Sequence, residues 1–296
     1  MNNSMILENG SLKIHLPKDE VTWFAFLQLS RLVNSTQGGW DSKTNWINRG
    51  LHILASDHYI EFIKKWTKNS LKLSNKNSPK IRTSDFKIED RNKALKEGKR
   101  GSEGMPKAGT ENQLNWNLCT YLFEKNKEQR YTFTYELPLA EEQEGQLKSD
   151  IVAFIPDSNL VEIIELKRGN SSNSPLMALV ESICYTLQLL RCWEHISKDE
   201  SIKWGQPEKP KTINIILAAP KEYWEKCKDE ESTPENFNQL NKIVSAVETA
   251  IRKWMDNSDF KLNLIIADCI DFGKGGLRAH KDSMGADVHS PVLLSR

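Results

Sequence analysis

The chain has 296 residues, of which 38% are hydrophobic, so it can bury a sizeable core in one or two domains. Its formal net charge of +1 requires that any affinity for nucleic acid come from local basic patches. Five cysteines without a CxxC pair argue against a disulfide framework and a cysteine-based zinc or iron–sulfur site. A signal-peptide pattern and apolar runs of the roughly 18 residues needed to span a membrane are missing, which predicts a cytoplasmic protein without a membrane partner.

Residues 1–70 are predicted to form a mainly helical N-terminal module. Asn9-Gly10, between two apolar stretches, indicates a short β-hairpin near its start. Helices are predicted over 21–32, from residue 41 or 42 to 54, and from residue 56 or 57 to about 69. Its aromatic residues are predicted to lie in the core or at a contact between domains rather than to stack on bases, and they are Trp23, Phe24, Phe26, Trp40, Trp46, Tyr59, Phe62 and Trp66.

Residues 71–108 are predicted to be a basic linker or arm. Between Lys64 and Lys107 the sequence has fourteen Lys or Arg against five Asp or Glu, a local charge of +9. The stretch has few large apolar residues and ends among glycines and a proline, as linkers do. Contact with the phosphates of a nucleic acid and a solvated, lysine-rich tether both fit this composition.

Residues 109–275 alternate between helical and strand patterns, and residues 276–296 are predicted to be a flexible tail. Strands are predicted over 131–139, 150–155, 160–166, 213–218 and 261–267, and helices over 111–125, 174–195 and 233–255. The long helix between the third and fourth strands should make those two strands parallel, whereas the second and third form an antiparallel hairpin. The predicted fold class is therefore α/β, with a mixed central β-sheet flanked by helices.

The hairpin of residues 147–168 carries charges at its open end. Its turn, Pro156-Asp157-Ser158-Asn159, consists of turn-forming residues, and a tight turn there puts Asp150 directly opposite Glu165. Because side chains alternate along a strand, Lys167 lies on the same face. The apolar residues predicted to share this face are Val152, Phe154, Val161 and Ile163.

A divalent cation would explain why two carboxylates and an ammonium group meet on an apolar hairpin. Two carboxylates about 5 Å apart raise each other's pKa unless a positive charge lies between them. Mg²⁺, or Mn²⁺ in its place, takes oxygen ligands and keeps room for a phosphate and a nucleophilic water. Lys167 could orient that water or stabilise charge at phosphorus. The alternative is a carboxylate–lysine surface pair at a hairpin end.

The spacing resembles the motif of the PD-(D/E)XK, or restriction endonuclease-like, nuclease superfamily. The matching residues are Ser149-Asp150, then fourteen residues, then Glu165-Leu166-Lys167, with Ser149 in place of the nominal proline. The element order αβββαβ is also the core of that fold, and the resemblance covers roughly residues 109–268. It implies a metal-dependent nuclease that hydrolyses phosphodiester bonds, of DNA rather than RNA, in a setting such as restriction or phage defence.

The resemblance also implies roles for individual residues. Asp150 and Glu165 would bind one or two Mg²⁺ ions with the Leu166 carbonyl as a further ligand, and Lys167 would position the attacking water. Many members contribute a glutamate from the helix before the strands, which implies this role for Glu111. A carboxylate that interacts with the dipole of its own helix is the alternative for Glu111.

The predicted helix after the third strand carries Glu181, Tyr185 and Gln188 on one side. The RecB-like subgroup has a Gln followed four residues later by Tyr in this helix. Glu181 stands where that Gln would be, and the iron–sulfur cysteines are missing, so the sequence argues against this subgroup. Packing and substrate contact are both open for Tyr185 and Gln188.

Two other functions remain open at the level of sequence. One is a catalytically inactive nucleic-acid-binding or scaffolding protein of the same fold, and the other is a metal-dependent hydrolase with a different substrate. The complete set of Asp150, Glu165 and Lys167 favours a nuclease. The expected partner is nucleic acid. Double-strand cleavage would add a second copy of the chain, and a nuclease that needs activation would add a protein partner.

Overall fold

The structure of this chain is a computed structural model. It describes residues 5–8, 11–14, 51, 54–72, 114–115, 118, 132–139, 148–200, 202–227 and 234–268. The predictions for Glu111, for the helix over 21–32, for nearly all of the arm at 71–108 and for the tail at 276–296 lie outside these residues.

The described strands and helices occur in an order close to the predicted one. They are β1 (Met5–Glu8), β2 (Ser11–Ile14), α1 (Asp57–Lys72), β3 (Thr132–Pro138), β4 (Lys148–Ile155), β5 (Leu160–Leu166), α2 (Pro175–Ile196), β6 (Thr212–Ala219), α3 (Lys221–Cys227), α4 (Pro234–Met255) and β7 (Lys261–Asp268). The strands β1 and β2 form the hairpin predicted around Asn9-Gly10, with Glu8 opposite Ser11. The short helix α3 has no counterpart in the prediction.

The strands β3 to β7 form a mixed five-stranded sheet in the order β3-β4-β5-β6-β7. The strand β4 is antiparallel to both of its neighbours, whereas β5–β6 and β6–β7 are parallel pairs. Parallel neighbours need long crossover connections, and these contain α2 and α4. The predicted α/β class, with a mixed central sheet and flanking helices, is confirmed.

The hairpin formed by β4 and β5 has the predicted register. Its backbone pairs run from Ile155 opposite Leu160 to Ile151 opposite Ile164. The connection is a single 3₁₀ turn that ends at Asn159, whose φ of 50° lies in the left-handed region. Asparagine adopts this conformation more readily than most residues, which explains why a turn this short forms here.

One face of the sheet packs against helices and contributes to the main hydrophobic core. The four apolar side chains predicted to share a face of the hairpin are fully buried in this core, and they are Val152, Phe154, Val161 and Ile163. Tyr59 and Trp66 of α1 are buried in the same core, as predicted, and α1 contacts α4 and α2. The predicted domain boundary at residue 70 stays a prediction, but α1 shares its core with the sheet.

The helix α2 begins where the Ser174-Pro175 sequence predicts. The Ser174 side chain accepts a hydrogen bond from the backbone N–H of Met177 at 3.1 Å, and Pro175 occupies the first turn. The helix runs to Ile196, is largely buried, and contacts β4, β5 and β6. No helix within the described ranges is both long and apolar enough to cross a membrane.

Candidate functional site

Asp150 lies one residue beyond the last backbone pair of the β4–β5 hairpin. Its Oδ2 accepts a hydrogen bond from the backbone N–H of Leu166 at 2.9 Å. A regular antiparallel ladder would direct that N–H to a backbone carbonyl of β4, so the carboxylate replaces a main-chain acceptor. The N–H and C=O of one strand residue point to the same side, so the Leu166 carbonyl is directed toward the side of Asp150.

Asn115 donates a second hydrogen bond to Asp150. Its Nδ2 lies 2.7 Å from Oδ1 of Asp150, and Asn115 is helical and buried together with Leu114 and Leu118. Two donors, one to each oxygen, hold the carboxylate in a single orientation. The sequence motif gives Asn115 no role. Its position four residues after Glu111, on a predicted helix, is the signal that could have identified it.

Glu165 and Lys167 form a buried ion pair. Nζ of Lys167 lies 2.6 Å from Oε1 of Glu165, and the two side chains are 5% and 4% exposed. The other oxygen of Glu165, Oε2, is buried and has no hydrogen-bond partner among the residues that the structure describes. Because buried polar atoms are nearly always hydrogen-bonded, this free oxygen is a candidate ligand atom.

The pKa of the Glu165 carboxyl is shifted by burial and by several neighbouring charged groups. Burial raises its pKa well above the ordinary value, and the nearby Asp150 raises it further. Lys167 acts in the opposite direction and lowers this pKa, whereas Glu181 again raises it. The cluster therefore holds more negative charge than its single ammonium neutralises, an arrangement typical of functional sites.

The helix α2 contributes a third carboxylate and a phenol to the cluster. Oε2 of Glu181 lies 3.3 Å from Nζ of Lys167. Tyr185 follows one helical turn later, and burial, then the charges of Glu165 and Glu181, raise the pKa of its phenol. The helical spacing noted in the sequence places Glu181 and Tyr185 on one side of α2, but it does not identify Lys167 as the partner of Glu181.

Gln188, on the same side of α2 in the sequence analysis, has a structural role. Its Nε2 donates to the backbone carbonyl of Leu139 at 2.7 Å, and its Oε1 accepts from Nη1 of Arg191 at 3.1 Å. Leu139 follows β3, so Gln188 ties the end of β3 to α2. The hydrogen bonds of Gln188 support the packing alternative for this residue.

The donor atoms of the cluster fit a divalent cation. The Asp150 carboxylate, the free Oε2 of Glu165 and the Leu166 carbonyl are oxygen donors of the kind that Mg²⁺ and Mn²⁺ take. Glu111, the further ligand that the resemblance implies, lies outside the described residues. Across the described part of the chain, no three His, Cys, Asp or Glu side chains are grouped as a metal-binding set, so the fit rests on two carboxylates and a carbonyl.

Comparison with known proteins adds no family assignment. The chain matches no protein-family model, no curated protein sequence and no solved structure. A function for this chain is therefore argued from the residues of the site and from the motif that their spacing resembles.

Proposed function

We propose that this chain is a metal-dependent nuclease of the PD-(D/E)XK type, which hydrolyses phosphodiester bonds of nucleic acid. The observation that carries the proposal is the meeting of Asp150, Glu165 and Lys167 at one end of β4 and β5, with two of them almost fully buried. Burying charged groups costs stability unless they are paired, and an excess of buried carboxylates is most easily explained by a function.

The two carboxylates have different tasks in the proposed site. Asp150 is held by two hydrogen-bond donors, so it would present a fixed set of lone pairs to a cation. Oε1 of Glu165 contacts Lys167 and Oε2 is free, so Glu165 would bind the cation through Oε2. The Leu166 carbonyl would supply a third oxygen from the chain.

Lys167 acts in this proposal on the water that attacks phosphorus. Its ammonium group is a hydrogen-bond donor, so it would orient the water in line with the scissile bond and stabilise negative charge that develops there. A divalent cation bound to the carboxylates supplies Lewis-acid stabilisation of the phosphoryl group and lowers the pKa of its bound water.

The order of elements around the site supports the same proposal. A helical segment with Asn115 precedes three strands, α2 follows them, and the parallel strand β6 comes next. The resemblance implies an αβββαβ order, and these described elements are consistent with it. The choice of DNA over RNA as substrate rests on the resemblance, and contact with phosphates is one of the two interpretations that the composition of the basic arm at 71–108 allows.

A cleavage assay tests the proposal. Wild-type protein, Asp150→Ala and Lys167→Ala are incubated with supercoiled plasmid, linear duplex DNA, single-stranded DNA and RNA, in Mg²⁺, Mn²⁺ or EDTA. Cleavage by the wild type that requires the cation and falls about 100-fold or more in both variants is expected. Circular dichroism and thermal unfolding establish that each variant is folded.

Glu194→Gln is the matched control for these substitutions. Glu194 lies on α2, but it is 78% exposed and pairs with Lys198 at 3.3 Å, so its loss should leave cleavage unchanged. Wild-type cleavage that survives both Asp150→Ala and Lys167→Ala would contradict the site assignment. Binding of DNA without cleavage under any condition would instead favour the non-catalytic nucleic-acid-binding protein.

A further inference from the structure

Lys167 lies between carboxylates from two different elements of the fold. Its Nζ is 2.6 Å from Oε1 of Glu165, two residues earlier in the chain, and 3.3 Å from Oε2 of Glu181 on α2. The Lys167 side chain is 5% exposed, and that of Glu181 is 21% exposed. Of these two carboxylates, that of Glu165 is buried and that of Glu181 lies at the boundary with solvent.

Glu165 and Glu181 would interact differently with Lys167 once a cation is bound. In the proposed function, Glu165 gives its negative charge to a divalent cation, and that cation repels the nearby ammonium group. A buried ammonium group without an anionic partner is strongly destabilising, so Lys167 would need another carboxylate to stay in the site. Among the described residues, Glu181 is a carboxylate within reach, with its Oε2 3.3 Å from Nζ of Lys167.

The charges of the cluster support a role for Glu181 as the carboxylate that stays with Lys167 when Glu165 binds the cation. The carboxylates of Asp150, Glu165 and Glu181 and the ammonium of Lys167 carry a formal net charge of −2 when all are ionised, which one divalent cation cancels. With Glu181 neutral, the same cluster would become positive on binding the cation. The third carboxylate thus makes the cation-bound cluster neutral without displacing Lys167.

The helix α2 is suited to hold Glu181 in place. Val180 and Ser182, which flank it, are fully buried, and the Ser182 hydroxyl donates to the backbone carbonyl of Ala178 at 2.8 Å. The helix contacts β5, the strand that ends beside Lys167. A side chain on a packed helix keeps its position better than one on a loop, so Glu181 offers Lys167 a stable second partner.

We propose that Glu181 is a positioning residue, which keeps the Lys167 ammonium group in the site when Glu165 binds a divalent cation. The inference rests on the proposed metal site and names a residue to which the sequence motif assigns no role. Glu181 acts through Lys167 and does not bind the cation itself.

A double-mutant cycle on cation affinity tests this role without any nucleic acid. Isothermal titration calorimetry measures Mn²⁺ binding to the wild type, Glu181→Gln, Lys167→Met and the double variant. In the wild-type background, Glu181→Gln should weaken Mn²⁺ binding about tenfold, because the variant lacks the negative charge beside Lys167 that Glu181 supplies when Glu165 binds the cation. In the Lys167→Met background the same change should weaken binding no more than about twofold, because no ammonium group needs a partner.

Each other outcome overturns a defined part of the inference. Equal loss of affinity in both backgrounds would show that Glu181 acts directly on the cation or on the fold, and no loss in either would remove its role. An absence of Mn²⁺ binding by the wild type would overturn the metal site, and with it both proposals. If the wild type binds Mn²⁺ but the effects of Glu181→Gln and Lys167→Met on affinity are additive, the role of Glu181 would be overturned and the metal site would stand. Glu194→Gln, exposed on the same helix, should bind Mn²⁺ like the wild type.

Discussion

The carboxylate of Asp150 accepts the backbone N–H of Leu166 at 2.9 Å, immediately beyond the last backbone pair of two neighbouring strands. A side chain thus takes the place of a backbone acceptor at the point where the strand pair ends. The exchange keeps the Leu166 amide hydrogen-bonded where the backbone pairing of the two strands ends. Strand ends of this kind are common positions for functional side chains.

Neutral substitutions of the two residues in the buried ion pair should have different effects on the stability of the protein. At pH 7 without divalent cations, Lys167→Met should lower the free energy of unfolding by about 3 kcal/mol, because it leaves Glu165 buried without its ammonium partner. Glu165→Gln should leave stability unchanged or raise it, because burial and Asp150 already disfavour the ionised form of Glu165. Urea unfolding followed by circular dichroism measures both.

The residual contacts of Lys167 explain why Glu165→Gln should be tolerated. A glutamine oxygen can still accept a hydrogen bond from Nζ, and Glu181 keeps a negative charge 3.3 Å from it. Such a gain in stability, paired with a loss of function, is typical of sites that are strained for activity. A loss of stability in Glu165→Gln as large as that in Lys167→Met would contradict this account of the cluster.

Asn115 should act as a support for Asp150. Asn115→Ala removes the 2.7 Å hydrogen bond to a carboxylate, and we expect a loss of about 1–3 kcal/mol of stability and of about tenfold or more in cleavage. Asn115→Asp should destabilise the protein further at pH 7, because it places a carboxylate against that of Asp150. Thermal unfolding and the cleavage assay measure the two effects.

The control for Asn115 is an asparagine of the sheet surface. Asn263 is exposed on β7 and donates to Oδ1 of Asn214 at 2.9 Å, away from the cluster in sequence and in the sheet order. Asn263→Ala should change neither stability by more than about 0.5 kcal/mol nor cleavage. Equal stability of Asn115→Ala and Asn115→Asp would show that the Asn115 site is not electrostatically linked to Asp150.

Gln188 should matter for stability and not for chemistry. Gln188→Leu removes the 2.7 Å hydrogen bond to the Leu139 carbonyl in a fully buried position, leaving the Cys192 thiol at 3.5 Å as a weak donor. We expect a loss of about 1–3 kcal/mol in the free energy of unfolding. Mn²⁺ affinity and cleavage per folded molecule should equal those of the wild type. A selective loss of cleavage would instead support the substrate-contact alternative.

Glu162 should make stability depend on pH. Burial raises its pKa, and the hydrogen bond from Nδ2 of Asn214 at 3.4 Å lowers it in part. Because the folded-state pKa is the higher one, the contribution of Glu162 to stability is complete below the unfolded value and is lost as pH rises through the folded value. Glu162→Gln should therefore gain stability relative to the wild type between about pH 4 and pH 7.

Urea unfolding of the wild type and Glu162→Gln over this pH range isolates the effect, because all other groups titrate in both proteins. A difference in stability that stays constant with pH would contradict the raised pKa of Glu162. An increase with pH in the stability of the wild type relative to Glu162→Gln would show that folding lowers the pKa of Glu162 instead of raising it.

Much of the fold followed from local patterns in the sequence. The four turn residues between the two apolar runs predicted the register of β4 and β5, and Ser174-Pro175 predicted the start of α2. The long helix between the third and fourth strands predicted that β5 and β6 are parallel. Each of these features depends on backbone preferences over a few residues, or on the length of a connection, and both can be read from a single sequence.

The partners of the charged cluster did not follow from such patterns. Asn115 and Asp150 are 35 residues apart in the chain, and Lys167 and Glu181 are 14 residues apart. One contact joins a helix to β4 and the other joins α2 to the residue that follows β5, so both depend on how the helices pack on the sheet. No periodicity along the chain encodes that packing, although the helical spacing had singled out Glu181 for its face of α2.

Turn length and side-chain alternation are local properties of the chain, so they predict from sequence that Asp150, Glu165 and Lys167 share one face at the open end of a hairpin. Which atoms are engaged there depends on tertiary packing. It pairs one oxygen of Glu165 with Lys167, leaves the other buried without a described partner, and brings Glu181 to the same ammonium group. Burial and electrostatic coupling depend on the packing of distant segments, and that packing turns a charged hairpin end into a candidate catalytic site.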